Sequence, residues 1–294
     1  MQLHSIVVGS ALHVIVDGGL DDALSLAVLA GHRVPIAQVI ATEGSVARSV
    51  TASATARWMS SLGSSSPVRI GEDHGIERPY PDGRDPFHGV DGFGGMVSAL
   101  AAAVTPTEPF RRLDGPVLCT GALTSVARGL RLGHGIEGIT WMGGSGAHGG
   151  NMTPWAEFNA WMDPWAADEV LTSGVQMRMV PLDVTTRFVW GARQLRAMRD
   201  ACRPIQLLAD AVGAAHGPDA HFIPHDAVTA VSFVDPDLFS WGECHVRCES
   251  AETITRGQTV IDRSGTVAPV LVADDVDVQG VTDWILAAIG RLPR

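Results

Sequence analysis

Three carboxylates lie within six residues near the start of the chain, in the segment Asp17-Gly18-Gly19-Leu20-Asp21-Asp22. An apolar run ends at Asp17, two glycines allow a tight turn, and Asp21 and Asp22 open a helical pattern. One such Asp would be explained as a helix cap, because free N–H groups and the helix dipole favour carboxylates there. Three converging carboxylates repel one another unless a cation neutralises them, and hard oxygen ligands select Ca²⁺ or Mg²⁺. The turn therefore predicts a divalent-cation site, with helix capping as the alternative for Asp21 and Asp22.

The elements around this turn alternate between short β-rich runs and helical patterns, which is typical of βαβ units around a mostly parallel sheet. We predict a single Rossmann-like α/β domain over residues 1–294, with helices flanking the sheet. Ligands in such sheets bind beyond the carboxyl ends of the strands, where the acidic turn lies. The predicted strands are 13–17, 35–42, 67–70, 116–120, 139–142 and 176–182, and the predicted helices are 21–30, 47–62, 94–103, 125–131, 164–173, 204–215 and 276–289.

Composition narrows the function classes. The 294 residues are 46% hydrophobic and 18% charged, with a net charge of −11. This acidic balance argues against a nucleic-acid partner, which needs a basic surface. No apolar run approaches the roughly 20 residues of a membrane span, and the start has no basic segment typical of a signal peptide. Four cysteines, of which Cys244 and Cys248 lack the partners of a zinc site, favour reduced thiols in a cytoplasmic protein.

Further motifs follow the acidic turn in a characteristic order over residues 14–235. Together with that turn, they resemble the inosine-uridine-preferring nucleoside hydrolase family, whose members cut the N-glycosidic bond of ribonucleosides with water. The turn is similar to that family's Asp-x-Asp-Pro-Gly-x-Asp-Asp-Ala. The other matching segments are Phe87-His88-Gly89-Val90-Asp91-Gly92, Thr120-Gly121-Ala122-Leu123-Thr124-Ser125, Asn151 with Ala156-Glu157-Phe158-Asn159 and Asp163-Pro164, Leu182-Asp183-Val184-Thr185, and Pro224-His225-Asp226-Ala227.

The resemblance implies one Ca²⁺ at the floor of a pocket that takes a small-molecule ribonucleoside. Its protein ligands would be Asp17, Asp22, Asp226 and the main-chain carbonyl of Thr124. The ion would also hold the ribose 2′ and 3′ hydroxyls and a water. That water would be the nucleophile with Asp17 as general base, since a neighbouring cation lowers the pKa of water. The family also implies a homodimer or homotetramer.

The remaining roles follow from the same resemblance. His225 would protonate the departing base, because histidine titrates near neutrality, and His88 would line the mouth of the pocket. A histidine that is merely packed beside a metal ligand is the alternative for His225. We expect Glu157 and Asn159, two residues apart, to face one side of an extended backbone. The residues expected to hold the ribose hydroxyls are Asp21, Asn151, Glu157 and Asn159.

Three positions depart from the family pattern. Ile15 occupies the position of the family's first Asp, Gly18 replaces the usual Pro, and Ser45 replaces an Asn. None of them is a predicted metal ligand, so we expect activity. The departures nevertheless leave open a non-catalytic nucleoside- or ribose-binding protein. A Mg²⁺-dependent phosphohydrolase of the haloacid-dehalogenase kind is a weaker alternative. That class needs an Asp two residues before a second Asp, and residues 17–20 do not provide it.

Overall fold

A computed structural model describes residues 10–82, 86–103, 105–217 and 221–293. These residues form one central sheet in the order β3-β2-β1-β4-β5-β6-β9-β7-β8. The pairs from β3 through β6 to β9 are parallel, whereas β7 pairs antiparallel with both β8 and β9. The strands are β1 (Leu12–Val16), β2 (Ile36–Ala41), β3 (Val68–Ile70), β4 (Gly115–Cys119), β5 (Ile136–Met142), β6 (Met177–Val180), β7 (Phe239–Cys248), β8 (Thr259–Asp262) and β9 (Pro269–Val276).

Helices cover both faces of the sheet. One core cluster packs beneath α1, α8, α9 and α10, and a second lies on the opposite face with α3 and α5. Every residue of β1 is buried, as expected for an apolar strand in a parallel sheet with both faces covered. The helices are α1 (Leu20–Gly31), α2 (Arg48–Ser61), α3 (Thr124–Arg131), α4 (Phe158–Met162), α5 (Pro164–Thr172), α6 (Leu182–Thr185), α7 (Ala192–Arg199), α8 (Arg203–His216), α9 (His225–Val234) and α10 (Val278–Gly290).

The strand order reverses at β1, which lies between β2 and β4. From β1 the chain continues outward on one side to β2 and β3, and then returns to β4 on the other side. A crevice forms beyond the carboxyl ends of the two strands at such a switch point, and ligands of open α/β sheets bind there. The acidic turn follows β1 directly, and Thr120 follows β4. The fold therefore places both at the expected ligand position.

The predicted α/β class and its mostly parallel sheet are confirmed, but two regions differ from the sequence-based prediction. The predicted helix over 94–103 is wrong: only a short 3₁₀ turn forms, Met96–Ala99. Gly94 and Gly95 have φ values of +65° and +79°, a left-handed conformation that a right-handed helix cannot continue. The strands β7, β8 and β9 were not predicted. In the described ranges, no helix is long and apolar enough to cross a membrane.

Candidate active site

A cavity of about 380 Å³ opens at the carboxyl edge of the sheet, beside the switch point. The acidic turn, the end of β4 and the start of α9 line its base, and three segments from elsewhere in the chain line its mouth. The predicted residues brought to this cavity are Asp17, Asp21, His88, Asn151, Glu157, Asn159, His225 and Asp226.

Asp22 organises the turn from below. Its Oδ2 accepts hydrogen bonds from the backbone N–H groups of Asp17, Gly18 and Gly19, at 3.0, 2.8 and 3.0 Å. Its Oδ1 accepts a 2.6 Å hydrogen bond from the Thr120 hydroxyl. The capping interpretation therefore holds for Asp22, which binds the amides at the start of α1. The same carboxylate joins the ends of β1 and β4.

The carboxyl groups of Asp17, Asp21, Asp22 and Asp226 lie close enough together at the base of the cavity to repel one another. Burial, followed by repulsion from the neighbouring carboxylates, raises the pKa of Asp17 and of Asp226 well above the usual range. Burial likewise raises the pKa of Asp22 to about 6, with repulsion from Asp21 adding to it. Burial and mutual repulsion disfavour several negative charges in one place. A bound cation would relieve both effects.

Glu157 itself has an extended backbone, with φ −75° and ψ 150°, but α4 begins at the next residue, so the extended backbone expected to carry both Glu157 and Asn159 does not continue to Asn159. As the N-cap of α4, its carboxylate accepts the N–H groups of Asn159 and Ala160, and it also accepts the N–H of Gly144 at 2.8 Å. Because Glu157 accepts hydrogen bonds from both the Gly144 turn and the first turn of α4, it fixes the turn after β5 against α4. Burial raises the pKa of Glu157 to about 7, against the lowering effect of these N–H donors.

The Asn159 side chain presents an acceptor to the cavity. Its Nδ2 donates to the main-chain oxygens of Thr120 and Met142, both at 3.0 Å. Its Oδ1 is buried, with no hydrogen-bond partner among the described residues. An unpaired buried acceptor carries a desolvation penalty that a ligand hydroxyl could relieve. Asn159 is therefore suited to bind a hydroxyl-bearing ligand.

Histidines and apolar side chains surround the mouth. His225 is the first residue of α9, and its Nδ1 lies 2.7 Å from the Thr185 hydroxyl. Burial lowers the pKa of His225. The Nδ1 of His88 accepts the N–H of Leu20 at 3.2 Å, and Asn151 Oδ1 accepts the N–H of Phe158 at 2.9 Å. The sequence-based prediction did not include the other side chains here, which are Phe87, Met152, Phe158, His221, Phe222 and Ile223.

Thr124 is not among the residues that line this cavity. It is the first residue of α3, and its hydroxyl donates to Asp163 Oδ2 at 2.7 Å. The carbonyl of a residue in the first helical turn faces along the helix to the N–H four residues later. Thr120, which follows β4 directly, lines the cavity instead and contacts Asp22. The position of Thr120 at the carboxyl end of a central strand was the sequence signal that could have identified it as a cavity residue.

The three departures have distinct surroundings. Ile15 is fully buried in the core face of β1, away from the cavity lining. Gly18 has a φ of +92°, which proline cannot adopt, so this turn takes a path that the usual Pro would not allow. Ser45 lines the cavity and is 7% exposed. A Cβ on the neighbouring Gly44 would lie 2.5 Å from the Asp17 Cβ, so the backbone beside Ser45 packs directly on Asp17.

A family model for inosine-uridine preferring nucleoside hydrolases matches residues 14–283. The chain belongs to this family. It is therefore an enzyme of the nucleoside hydrolase type, an N-glycosidase, and the family is one of metal-dependent enzymes.

The curated relatives include a pyrimidine-specific ribonucleoside hydrolase, RihA, of Shewanella sp. (strain ANA-3), which is 31% identical over 93% of this chain and 94% of its own length. The non-specific ribonucleoside hydrolase RihC of Klebsiella pneumoniae (strain 342) is 28% identical over 94% of this chain and 97% of its own length.

Solved structures share the fold of this nucleoside hydrolase. The plant nucleoside hydrolase PpNRh1 superposes with a TM-score of 0.86 at 22% identity, covering 95% of this chain and 98% of its own. A purine-preferring ribonucleoside hydrolase from Gardnerella vaginalis gives 0.83 at 24% identity, with coverages of 96% and 98%. The predicted nucleoside hydrolase fold is thereby confirmed.

Proposed function

We propose that this protein hydrolyses ribonucleosides to ribose and free base, with Asp17 as general base and His225 as general acid. The observation that carries the proposal is the arrangement of one cavity. Buried carboxylates and the unpaired Asn159 Oδ1 lie at its base, while His225 and apolar side chains lie at its mouth. A ribonucleoside is complementary to this cavity. The hydroxyls of its sugar match the polar base of the cavity, and its nucleobase is a flat, largely apolar ring that matches the mouth.

A divalent cation fits the base of this cavity. In the part of the chain that the structure describes, no three His, Cys, Asp or Glu side chains are grouped as metal ligands as they stand. The carboxyl groups of Asp17, Asp22 and Asp226 are nevertheless buried beside one another, where burial and repulsion from neighbouring carboxyl groups raise the pKa of each. One divalent cation would neutralise this repulsion. All the donors are hard oxygens, which suits Ca²⁺. We propose Asp17, Asp22, Asp226 and the main-chain oxygen of Thr120, in place of Thr124, as its ligands.

The bound cation would lower the pKa of an adjacent water. Asp17 would take a proton from this water as the water oxygen forms a bond to C1′ of the ribose. The bond between C1′ and the base nitrogen breaks, and its electron pair leaves with the base. His225 would give a proton to the departing base. The lowered pKa of His225 makes its protonated ring a stronger acid.

The side chains expected to hold the ribose act by orientation. Asn159 Oδ1 would accept a hydrogen bond from a sugar hydroxyl, and Asp21 and Glu157 lie on the same cavity surface. Asn151 also lines the cavity, although its Oδ1 already accepts a hydrogen bond from the N–H of Phe158. Fixing the sugar favours a transition state in which positive charge develops on the ring.

Several further expectations stay predictions. The relatives differ in the base they accept, since one is named pyrimidine-specific and another non-specific. A role in purine or pyrimidine salvage and a homodimer or homotetramer are expected from the family resemblance, and a cytoplasmic location is expected from the few, unpaired cysteines.

The proposal is tested by measuring reducing sugar released from inosine, uridine, adenosine and cytidine by the purified protein. We expect release from at least one nucleoside, its loss with a chelator, and its recovery when Ca²⁺ is added back. Binding of nucleosides without any release would instead favour the non-catalytic binding protein. Release of phosphate from phosphate esters without release of ribose would favour the phosphohydrolase.

A further inference from the structure

The hydroxyl of Thr185 is the one side-chain hydrogen-bond partner of the His225 ring among the described residues, at 2.7 Å from Nδ1. Thr185 is fully buried and ends the short helix α6, far from His225 in sequence. Its other polar contact, to the main-chain oxygen of Pro181, is longer at 3.4 Å. The shorter contact with His225 is therefore the stronger of the two.

A hydrogen bond at Nδ1 determines the direction of the other ring nitrogen. His225 lines the cavity, and with Nδ1 directed to Thr185 the free nitrogen is Nε2. A threonine hydroxyl can donate to a bare Nδ1 or accept from a protonated one. It can therefore hold the ring in one orientation before and after a proton leaves Nε2. An apolar side chain of the same shape could do neither.

The support for Thr185 is rigid. Its helix follows β6 directly, and its neighbours Leu182 and Val184 are fully buried. The N-terminal half of the same helix holds the loop after β5, because Asp183 accepts the N–H groups of Gly146 and His148 at 2.6 and 3.0 Å. A group held on a packed element is positioned with less freedom than one on a loop.

We infer that Thr185 is a positioning residue for the leaving-group acid, which orients the His225 ring so that Nε2 faces the departing base. This inference rests on the proposed function of His225. It extends that proposal by naming the side chain on which the geometry of the acid depends. Misplacing a reacting group by about 1 Å can cost about 10²-fold in rate.

The test compares Thr185→Val, which keeps the shape and removes the hydroxyl, with Thr185→Ser, which keeps the hydroxyl. Thr186→Val is the matched control. It makes the same change one residue later, where the hydroxyl bonds to Leu182 O at 2.6 Å and does not contact His225. For the nucleoside that the wild type cleaves best, we expect Thr185→Val to lower kcat roughly 10- to 100-fold with little change in KM. Thr185→Ser should restore most of the rate, and Thr186→Val should stay near the wild type.

Two further measurements separate positioning of the acid from general damage. On a nitrophenyl riboside, whose leaving group departs as a stable anion, Thr185→Val should be nearly as fast as the wild type. Combined with His225→Ala, it should add almost no further loss on the natural nucleoside. Equal losses on both substrates, additive losses in the double variant, or wild-type rates for Thr185→Val would each overturn the inference. If Thr185→Val does not fold, Thr185→Ala gives the same comparison. A wild-type enzyme that releases no ribose would overturn the proposed function itself.

Discussion

The base and the mouth of the cavity are built differently. The floor consists of Asp17, Thr120, Glu157, Asn159 and Asp226, with Asp22 beneath the acidic turn, and all six residues are at most 7% exposed. These residues lie at the ends of central strands or the starts of helices, and backbone amides hold several of their side chains. The rim consists of Phe87, His88, Met152, His221, Phe222 and Ile223, which come from connecting segments.

The rim residues lie on connecting segments, and hydrogen bonds attach these segments to other elements. His88 is tied to α1 by one hydrogen bond to its ring, from the N–H of Leu20. Phe222 is held through a two-bond backbone bridge to Trp190, at 2.8 and 2.9 Å. Loops on a rigid scaffold commonly carry recognition, while the scaffold carries the groups whose geometry must be the same in every turnover. The difference suggests that the floor performs the chemistry common to all substrates and that the rim selects the base.

Asp17→Asn should give the largest effect, because Asp17 is both the proposed general base and a proposed metal ligand. Loss of a general base alone costs about 10²- to 10⁴-fold in rate, so we expect turnover of every nucleoside to fall by at least about 10²-fold. Steady-state release of ribose measures this. Asp283→Asn, the same change on the exposed surface of α10, is the control. Near-normal turnover with retained metal would mean that another group activates the water.

His225→Ala tests the boundary between the two regions, because His225 begins helix α9, lines the cavity and is the proposed acid for the departing base. Natural nucleosides should be cleaved about 10²- to 10⁴-fold more slowly, as for a lost general acid. A nitrophenyl riboside should be cleaved almost normally, since its leaving group needs no proton. Metal affinity, measured by calorimetry, should change little because Asp226 is intact. Equal losses on both substrates would assign His225 to structure or to ribose positioning.

The sequence predicted the floor better than the rim, for a physical reason. The Asp17 turn and the Pro224–Ala227 segment are short, and local rules place their side chains relative to a strand end or a helix start. The proposed main-chain ligand of the cation shows the limit of this reasoning. Thr120 and Thr124 lie in one motif, and only the fold shows which of them faces the cavity. Asn159 was expected on the same extended backbone as Glu157 because the capping of α4 by Glu157 leaves no distinct pattern in sequence.

The fold shows the same contrast. Strands β1 to β6 are mostly apolar runs, and the βαβ alternation predicted them. In β7, buried and exposed residues are mixed with charges at Glu243 and Arg247, so its antiparallel pairing with β8 and β9 at the sheet edge had no clear signal. The helix predicted over 94–103 failed because two left-handed glycines outweigh an apolar pattern.

Phe87→Ala should give the smallest effect and tests the rim directly. Phe87 lines the cavity beside His88, with the two rings edge to face at 5.5 Å. If its ring packs against the base, the variant loses an aromatic contact of about 0.5–1.5 kcal/mol, or roughly 2- to 12-fold in affinity. We expect KM to rise by that factor with kcat almost unchanged, and the rise to be larger for purine nucleosides, whose two rings offer more contact area. Phe87→Leu, which keeps an apolar side chain without the ring, should recover part of the loss. If turnover of every substrate instead fell as far as it does on loss of a catalytic group, about 10²-fold or more, Phe87 would belong functionally with the floor. The division between chemistry and base selection would then not hold at this position.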